Sequence, residues 1–462
     1  MSTWERALAV VLGLGAACSA ETRWGGGTPT PMHPDSQAAL PSDANSDAGP
    51  GPVEPVGDGK PAKSVRGDAK YVVAPGSRYP SLKSIAKLVE PGDVVEVHGN
   101  AKYAGGVRFE RDGTAEKPIT IRGQAIDGKL PIIAGAADTI EAAGDHYVFE
   151  DLELMGATKR CFFHHAHDIT VRRLYIHDCH NGLLGADDDS GSLLLEHSEF
   201  ARSGEGQFHH QIYMATDEKA HPGSVFRMQH CYVHDGAGGN NVKTRAERNE
   251  IHYNWIEGAL YHELEMVGPD GGDPKLARED SEVLGNVFFK TNPSHAVRVG
   301  GDGTGDTGGR YRFLFNTFVV AGTNGAIRVY DSAESLELYN NAFYRAGGAE
   351  VQILKETEAK WVRGGSTVSG ANNWLSEGSS THRGLAGTKF GVQPGFASLA
   401  NRDLRPVTGS PLIGNALARP PTSPTFPFSN PTNVPLFEPG PGIAPPRPRQ
   451  ATNKPSIGAF EP

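Results

Sequence analysis

Cysteine is scarce: four residues in a chain of 462, at positions 18, 161, 179 and 231. No two form a CxxC pair, which argues against a zinc site. The three that follow Cys18 are an odd number and cannot close into a complete disulfide set. Core thiols, with room for one disulfide, are the expectation. Aromatic residues make up only 8%, against 58 Gly and 33 Pro. That balance disfavours long helices and suits short strands joined by tight turns. An excess of positive charge is also missing. Lys and Arg number 44 against 54 Asp and Glu, a net charge of −10. General nucleic-acid binding, which needs a basic face, is therefore not expected. An acidic ligand is still admissible if a local basic patch exists. The apolar run Ala7–Leu14 is too short to cross a bilayer by itself.

What is present at the N-terminus reads as an export signal: one Arg, the apolar run, then small residues. Its end, "LGLGAAC", has the form of a bacterial lipobox with Cys18 as the lipidated residue. Ser19 and Ala20 follow without an Asp, so the expected location is the outer membrane or cell surface of a bacterium, with the chain held to the membrane by a lipid at Cys18. Residues 19–68 are Pro-, Gly- and Ser-rich and have no apolar periodicity, as in a disordered tether. A folded region is expected over 69–360, and C-terminal coils with an extended Pro-rich tail over 361–462. Within that tail, 419–450 is expected to lie as extended coil on the fold, because proline cannot join a ladder.

The folded region carries a weak repeat. After the segment "PSLKSIAKLVEPGD", which reads as a short capping helix, an alternating run ending in a polar–any–apolar triplet recurs as "FEDLEL", "VRRLYI", "LEHSEF", "MQHCYV", "HYNWIE", "VLGNVF", "LFNTFV" and "LYNNAF". Anchors at Asp151, Arg173, Ser198, Cys231, Asn254, Asn286, Asn316 and Asn341 are spaced by 22, 25, 33, 23, 32, 30 and 25 residues. Such a period, with loops inserted in some turns, predicts a stacked β-solenoid. The asparagines suit a ladder at a sharp corner where the left-handed conformation is tolerated.

A second strand in each coil aligns as "HQIYM", "NVKTR", "HELEM", "HAVRV" and "GAIRV". Alternation of faces along a strand puts Ile212, Val242, Leu264, Val297 and Ile327 in one inward column. It puts Tyr213, Lys243, Glu265, Arg298 and Arg328 in an outward column. Gln211, Asn241, Glu263, Ala296 and Ala326 are expected in a second outward column beside it. Neighbouring coils would lie about 4.8 Å apart. The bland reading of Lys243 and Arg245 is a solvated face with weak cross-strand ion pairs. A groove for an extended acidic ligand is the sharper one. Thirteen of the 18 histidines fall between His164 and His262 at no metal-binding spacing. His210 and His262, just ahead of the groove strands, are the two with a candidate role.

The opening "PGDVVEVHG…GGVRFERDGTAEKPITIRGQ" and the close "DLRPVTGSPLIGNA…PSIGAFEP" resemble secreted right-handed parallel β-helix proteins of the pectate lyase superfamily. The opening is similar to the chondroitinase B and alginate lyase branch. The stretch from "HQIYM" to "FLFNTFV" resembles a group of uncharacterised bacterial β-helix proteins. The resemblance implies an all-β, single-stranded right-handed parallel β-helix. It also implies a Ca²⁺-assisted lyase with the metal held by Asn241, Glu263 and Glu265, and an essential Arg at Arg298. Asp270 stands near the place of that family's Lys base, and Lys243, one coil earlier, is the substitute expected here.

Cleavage by β-elimination needs a neutralised carboxylate, a base at the C5 proton and a proton for the leaving oxygen. Tyr213, Lys243, Arg245 and Arg298, with His210, are the candidate catalytic residues, and an acidic polysaccharide acted on by a monomer is the expected partner. Epimerase or hydrolase chemistry uses the same space, the latter with Glu263 and Glu265 as its carboxylate pair. A non-catalytic, glycan-binding or structural β-helix protein of the cell surface is the alternative.

Overall fold

The computed structural model describes residues 68–269, 280–301, 309–321, 325–330, 333–346, 353–356, 367–421 and 434–462. The expected leader, Cys18, nearly all of the 19–68 tether, and Asp270 lie outside them.

Three long parallel sheets of thirteen, ten and twelve strands build the molecule. Each coil visits all three. Ile169–Arg172 lies in the thirteen-stranded sheet, Tyr175–His177 in the twelve-stranded and Asn181–Gly185 in the ten-stranded. Leu193–Glu196 then returns to the first sheet and pairs in parallel with Ile169–Arg172. The chain is thus a single right-handed parallel β-helix, the hand that twisted strands and their crossovers favour. The thirteen- and twelve-stranded sheets run on to Leu385–Ala386 and Lys389–Gly391, past residue 360.

The expected inward column is there. Ile212, Val242, Leu264, Val297 and Ile327 are consecutive register partners, and all are fully buried. Burying each such side chain stabilises the fold by about 1.5–3 kcal/mol. Phe288, Phe318 and Phe343 add a ring stack, with centroids 5.0 and 4.6 Å apart.

The asparagine ladder also exists. Asn254, Asn286, Asn316, Asn341 and Asn373 are fully buried. Each of the first four donates its Nδ2 to the next Oδ1 at 3.0–3.1 Å, and its backbone N–H to the same oxygen at 2.8–2.9 Å. The left-handed residue, however, is the one before each rung: His197, His230, Tyr253, Gly285, Phe315, Asn340 and Asn372 have positive φ. The ladder asparagines are needed for their side-chain amides, which close the corner's backbone bonds.

Cys161 and Cys179 form a disulfide between successive coils, and Cys231 is a buried free thiol that burial pushes up to about 12. The expected N-terminal capping helix is reduced to one 3₁₀ turn, Leu82–Ser84. Pro80 and Pro91 bound the segment, and burying Leu82, Ile85, Ala86 and Val89 on the core outweighs continuing the helix. At the other end, Leu404, Leu412, Ile457, Ala459 and Phe460 cover Trp255, Val287, Val319 and Trp374. Asn340 exchanges two hydrogen bonds with the Leu417 backbone, at 2.9 and 2.8 Å. Val434 and Phe437 pack against the cluster of Tyr253, Leu284, Leu314 and Phe315.

Candidate functional site

The site is laid out by five neighbouring strands of the ten-stranded sheet: Ile212–Ala215, Val242–Arg245, Leu264–Met266, Val297–Val299 and Ile327–Val329. Their inward residues fix the register, so the residues between them face outward in one line: Tyr213, Lys243, Glu265, Arg298 and Arg328.

Glu265 is the hub of this line. The Arg298 Nη1 donates to its Oε1 at 2.5 Å, the Lys243 Nζ lies 3.8 Å from its Oε2, and Asn240 Nδ2 donates to that same Oε2. Burial pulls its carboxyl upward, but the Lys243 and Arg298 cations, helped by His262 and His210, hold it below its ordinary value. The Lys243–Glu265 attraction is roughly 4 kcal/mol at that separation before desolvation. Lys243 Nζ also lies 5.1 Å from the centre of the Tyr213 ring. Arg245 is buried beneath: its Nε donates to the Tyr213 Oη at 2.9 Å and its Nη1 to the Gly268 carbonyl at 3.3 Å. It therefore holds the phenol in place. Arg298 Nη2 donates to the Gly301 carbonyl at 2.9 Å. Arg298 and Arg328 both pack on the Tyr330 ring, at 4.1 and 4.5 Å.

His210 is buried edge-on to Tyr213, and its Nδ1 accepts from the Asn240 N–H at 2.9 Å. Burial, then the Lys243 charge, pushes its imidazole down to about 3. At neutral pH it is an uncharged support for Asn240 and Tyr213. His262 is half-buried, and its N–H donates to Asn240 Oδ1 at 2.9 Å. Asn240 thus ties three coils together, and the strand alternation, followed one residue too far, passed over it in favour of Asn241.

The second outward column does not exist. Gln211, Asn241, Glu263, Ala296 and Ala326 are all fully buried. The strands begin one residue later, at Ile212 and Val242, so alternation does not reach back across the corner. Instead these polar residues form an inner ladder. Gln211 Nε2 donates to Asn241 Oδ1 at 2.8 Å, and Asn241 Nδ2 donates to Glu263 Oε2 at 2.6 Å. Glu263 also accepts twice from the Ala259 N–H, at 3.1 Å. Lys290, fully buried on the next coil, sets its Nζ 3.4 Å from Glu263 Oε1 and donates to the Ala259 carbonyl at 2.7 Å. Burial pushes the Glu263 carboxyl up to about 7 and the Lys290 ammonium down.

This arrangement does not fit a Ca²⁺ held by Asn241, Glu263 and Glu265. Asn241 and Glu263 satisfy each other inside the corner, the cation beside Glu263 is Lys290, and Glu265 is already matched by Lys243 and Arg298. Among the described residues no group of three or more His, Cys, Asp or Glu could hold a metal ion. Nor can Glu263 share a glycosidic bond with Glu265, so a two-carboxylate hydrolase is not built here.

No family model matches the chain, and no curated protein matches it by sequence. Solved structures are similar to it at low identity. The chain is similar to pectate lyase Pel9A at 12% identity and a TM-score of 0.44, over 85% of this chain and 96% of that one. It is similar to XylC in complex with xylose at 10% identity and 0.49, over 71% and 87%. It is similar to the PL6 family alginate lyase AlyGC at 13% identity and 0.42, over 67% of this chain and about half, 52%, of that one. Likeness at this level bears on neither substrate nor mechanism.

Proposed function

We propose that the chain is an exported lyase that cleaves an acidic, uronic-acid polysaccharide by β-elimination. The observation that carries this reading is the outward line Tyr213–Lys243–Glu265–Arg298, with Arg245 donating to the Tyr213 oxygen. It gathers the groups the reaction needs. A guanidinium has five N–H donors, and Arg298 commits two of its terminal nitrogens to Glu265 and Gly301. Its remaining donors suit a substrate carboxylate and the negative charge that develops as the C5 proton leaves. Lys243 is the proposed base. As the C4–O bond breaks and the C4–C5 double bond forms, the Tyr213 hydroxyl is placed to give the leaving oxygen its proton. Glu265 orients both cations. No step is assigned to Ca²⁺, because its expected ligands do not fit.

Export and a lipid anchor at Cys18 belong to the same proposal. The buried Cys161–Cys179 disulfide supports an oxidising compartment. Changing Cys18 to Ser should release the protein from the membrane fraction or stall its processing. A wild-type protein found in the cytosol would end the export reading.

The catalytic reading is tested by following the ultraviolet absorbance of unsaturated products on polygalacturonate, alginate and glucuronate-containing polymers. Turnover lost in Lys243→Ala but insensitive to chelation supports it. A second reading is a surface protein that binds acidic glycan without cleaving it. The pairing of Lys243 and Arg298 with Glu265 favours this, since an ion-paired lysine is a restrained base. Tight binding with no absorbance change on any polymer would select it.

A further inference from the structure

We infer that Arg328 forms a second anion subsite, one coil beyond Arg298, that takes the charged group of the next residue along an acidic chain. Only the identity of that chain rests on the lyase reading. The outward line continues past Arg298 to Arg328. Other cations on adjacent strands have an acidic partner across the ladder: Arg227 with Glu250, Arg310 with Asp280, Arg312 with Glu337. Here two arginines, Arg298 and Arg328, follow one another after Glu265. Like charges on adjacent strands repel, and nothing described offsets this at Arg328.

The two arginines of the pair differ. Arg298 donates to Glu265 and to Gly301. Arg328 Nε is shut away from solvent and has no hydrogen-bond partner among the described residues. Its guanidinium carbon instead lies over the Tyr330 ring, 4.5 Å from its centre. A buried, fixed donor without an acceptor is costly to keep. The terminal nitrogens of a guanidinium fixed in this way suit an oxyanion that takes two N–H bonds, such as a carboxylate or a sulfate.

Direction follows from the same line. On the other side of Tyr213 it holds Leu184 and Phe163, both half-buried. The arginines on that side are paired: Arg160, over the Phe163 ring, is tied to Asp138 through two bonds of 2.5 and 2.9 Å, and Arg108, farther along the line, donates to Glu141. Charge is therefore read only towards the C-terminal coils. Adjacent coils are about 4.8 Å apart, close to the advance of one linked pyranose. The ligand class is then a block in which successive sugars each carry an anion, in preference to a polymer with isolated uronates.

The experiment measures binding of the whole protein to polygalacturonate, alginate and dextran sulfate, with neutral dextran as control, across a range of salt. Arg328→Ala should weaken binding of the preferred polyanion at least about tenfold, the loss of one charge-assisted hydrogen bond, and flatten its salt dependence. Arg328→Lys should not restore it. Where turnover is measurable, the loss in kcat/KM should sit mainly in KM, with circular dichroism unchanged. Wild-type affinity and salt dependence in Arg328→Ala overturn the subsite even if the enzyme cleaves polyuronate. Arg328-dependent binding without unsaturated products upholds the subsite and ends the lyase reading. A wild-type protein that binds none of the three polyanions ends both.

Discussion

Replacing Lys290 with Met removes the cation beside Glu263 and leaves the aliphatic volume in place. The pair is fully buried with Nζ 3.4 Å from the carboxylate oxygen, an attraction of about 5 kcal/mol at an effective dielectric of 20. Desolvation of both ions cancels much of that in the wild type. Breaking a buried pair from one side is therefore the informative change, and it costs about 3–5 kcal/mol. The pH dependence separates this from simple loss of packing. The Glu263 carboxyl stands at about 7 in the fold and near 4.3 when unfolded. The folded wild type holds a proton that the unfolded chain has lost, so its Glu263 contribution is full below the unfolded value. It is lost as pH rises to about 7, and is flat above. Without Lys290 the folded value moves higher still, and the variant keeps losing stability above pH 7 where the wild type does not. Urea unfolding of both proteins at pH 5, 7 and 9 should show a deficit that widens with pH. A constant deficit of about 1 kcal/mol across that range would refute the buried ion pair. Lys290→Met combined with Glu263→Gln should cost less than the sum of the single changes.

Other consequences are as direct. Val242→Asp buries a charge in the inward column and should prevent folding, whereas Lys243→Ala should keep the wild-type circular dichroism and lose turnover; an unfolded Lys243→Ala would contradict its outward position. Asn316→Ala deprives both the backbone and side-chain donors of Asn286 of their acceptor, and should cost about 2–4 kcal/mol in denaturant unfolding; a loss under 1 kcal/mol would mean the ladder is incidental. Calcium titration should show no Glu265-dependent binding, and a calcium-induced rise in melting temperature that Glu265→Gln abolishes would restore the metal reading. Arg298→Lys should reduce kcat/KM as much as Arg298→Ala, because an ammonium cannot make the bidentate contact; near-wild-type turnover would remove Arg298 from carboxylate binding.

The repeat from Asp151 to Asn341 and the alternation of five strands made both the solenoid and its outward line legible, because a period of two fixes faces wherever a strand is continuous. The pattern failed where strands end. Asn241 and Glu263 sit one residue before the ladder begins, and a corner turns their side chains inward, so residue counting alone could not separate them from Lys243 and Glu265. The partner that explains Glu263, Lys290, follows it by 27 residues on another sheet and looks in sequence like an exposed strand end. Asn240, one residue from the aligned column, carried no signal beyond its neighbour. The left-handed corner residues from Tyr253 to Asn372 were missed by one position because their identities vary from Tyr to Gly to Phe to Asn, while the shared feature is the amide that follows them.

The asparagine ladder also bears on how such a chain can change length. Every internal rung uses the adjacent coils alone: it accepts from the rung before, donates to the rung after, and gives its amide also to a backbone carbonyl of the coil before. A duplicated coil inserted between Asn286 and Asn316 would find the same pair of partners waiting and would hand the same pair on. Growth by whole coils is thus chemically neutral at this corner, while loss of a fraction of a coil is not. The spacing of 22 to 33 residues between anchors shows where variation is absorbed, in the loops that leave the stack. A solenoid of this kind can lengthen its groove by copying a coil and retune it by editing a loop, without the two kinds of change interfering.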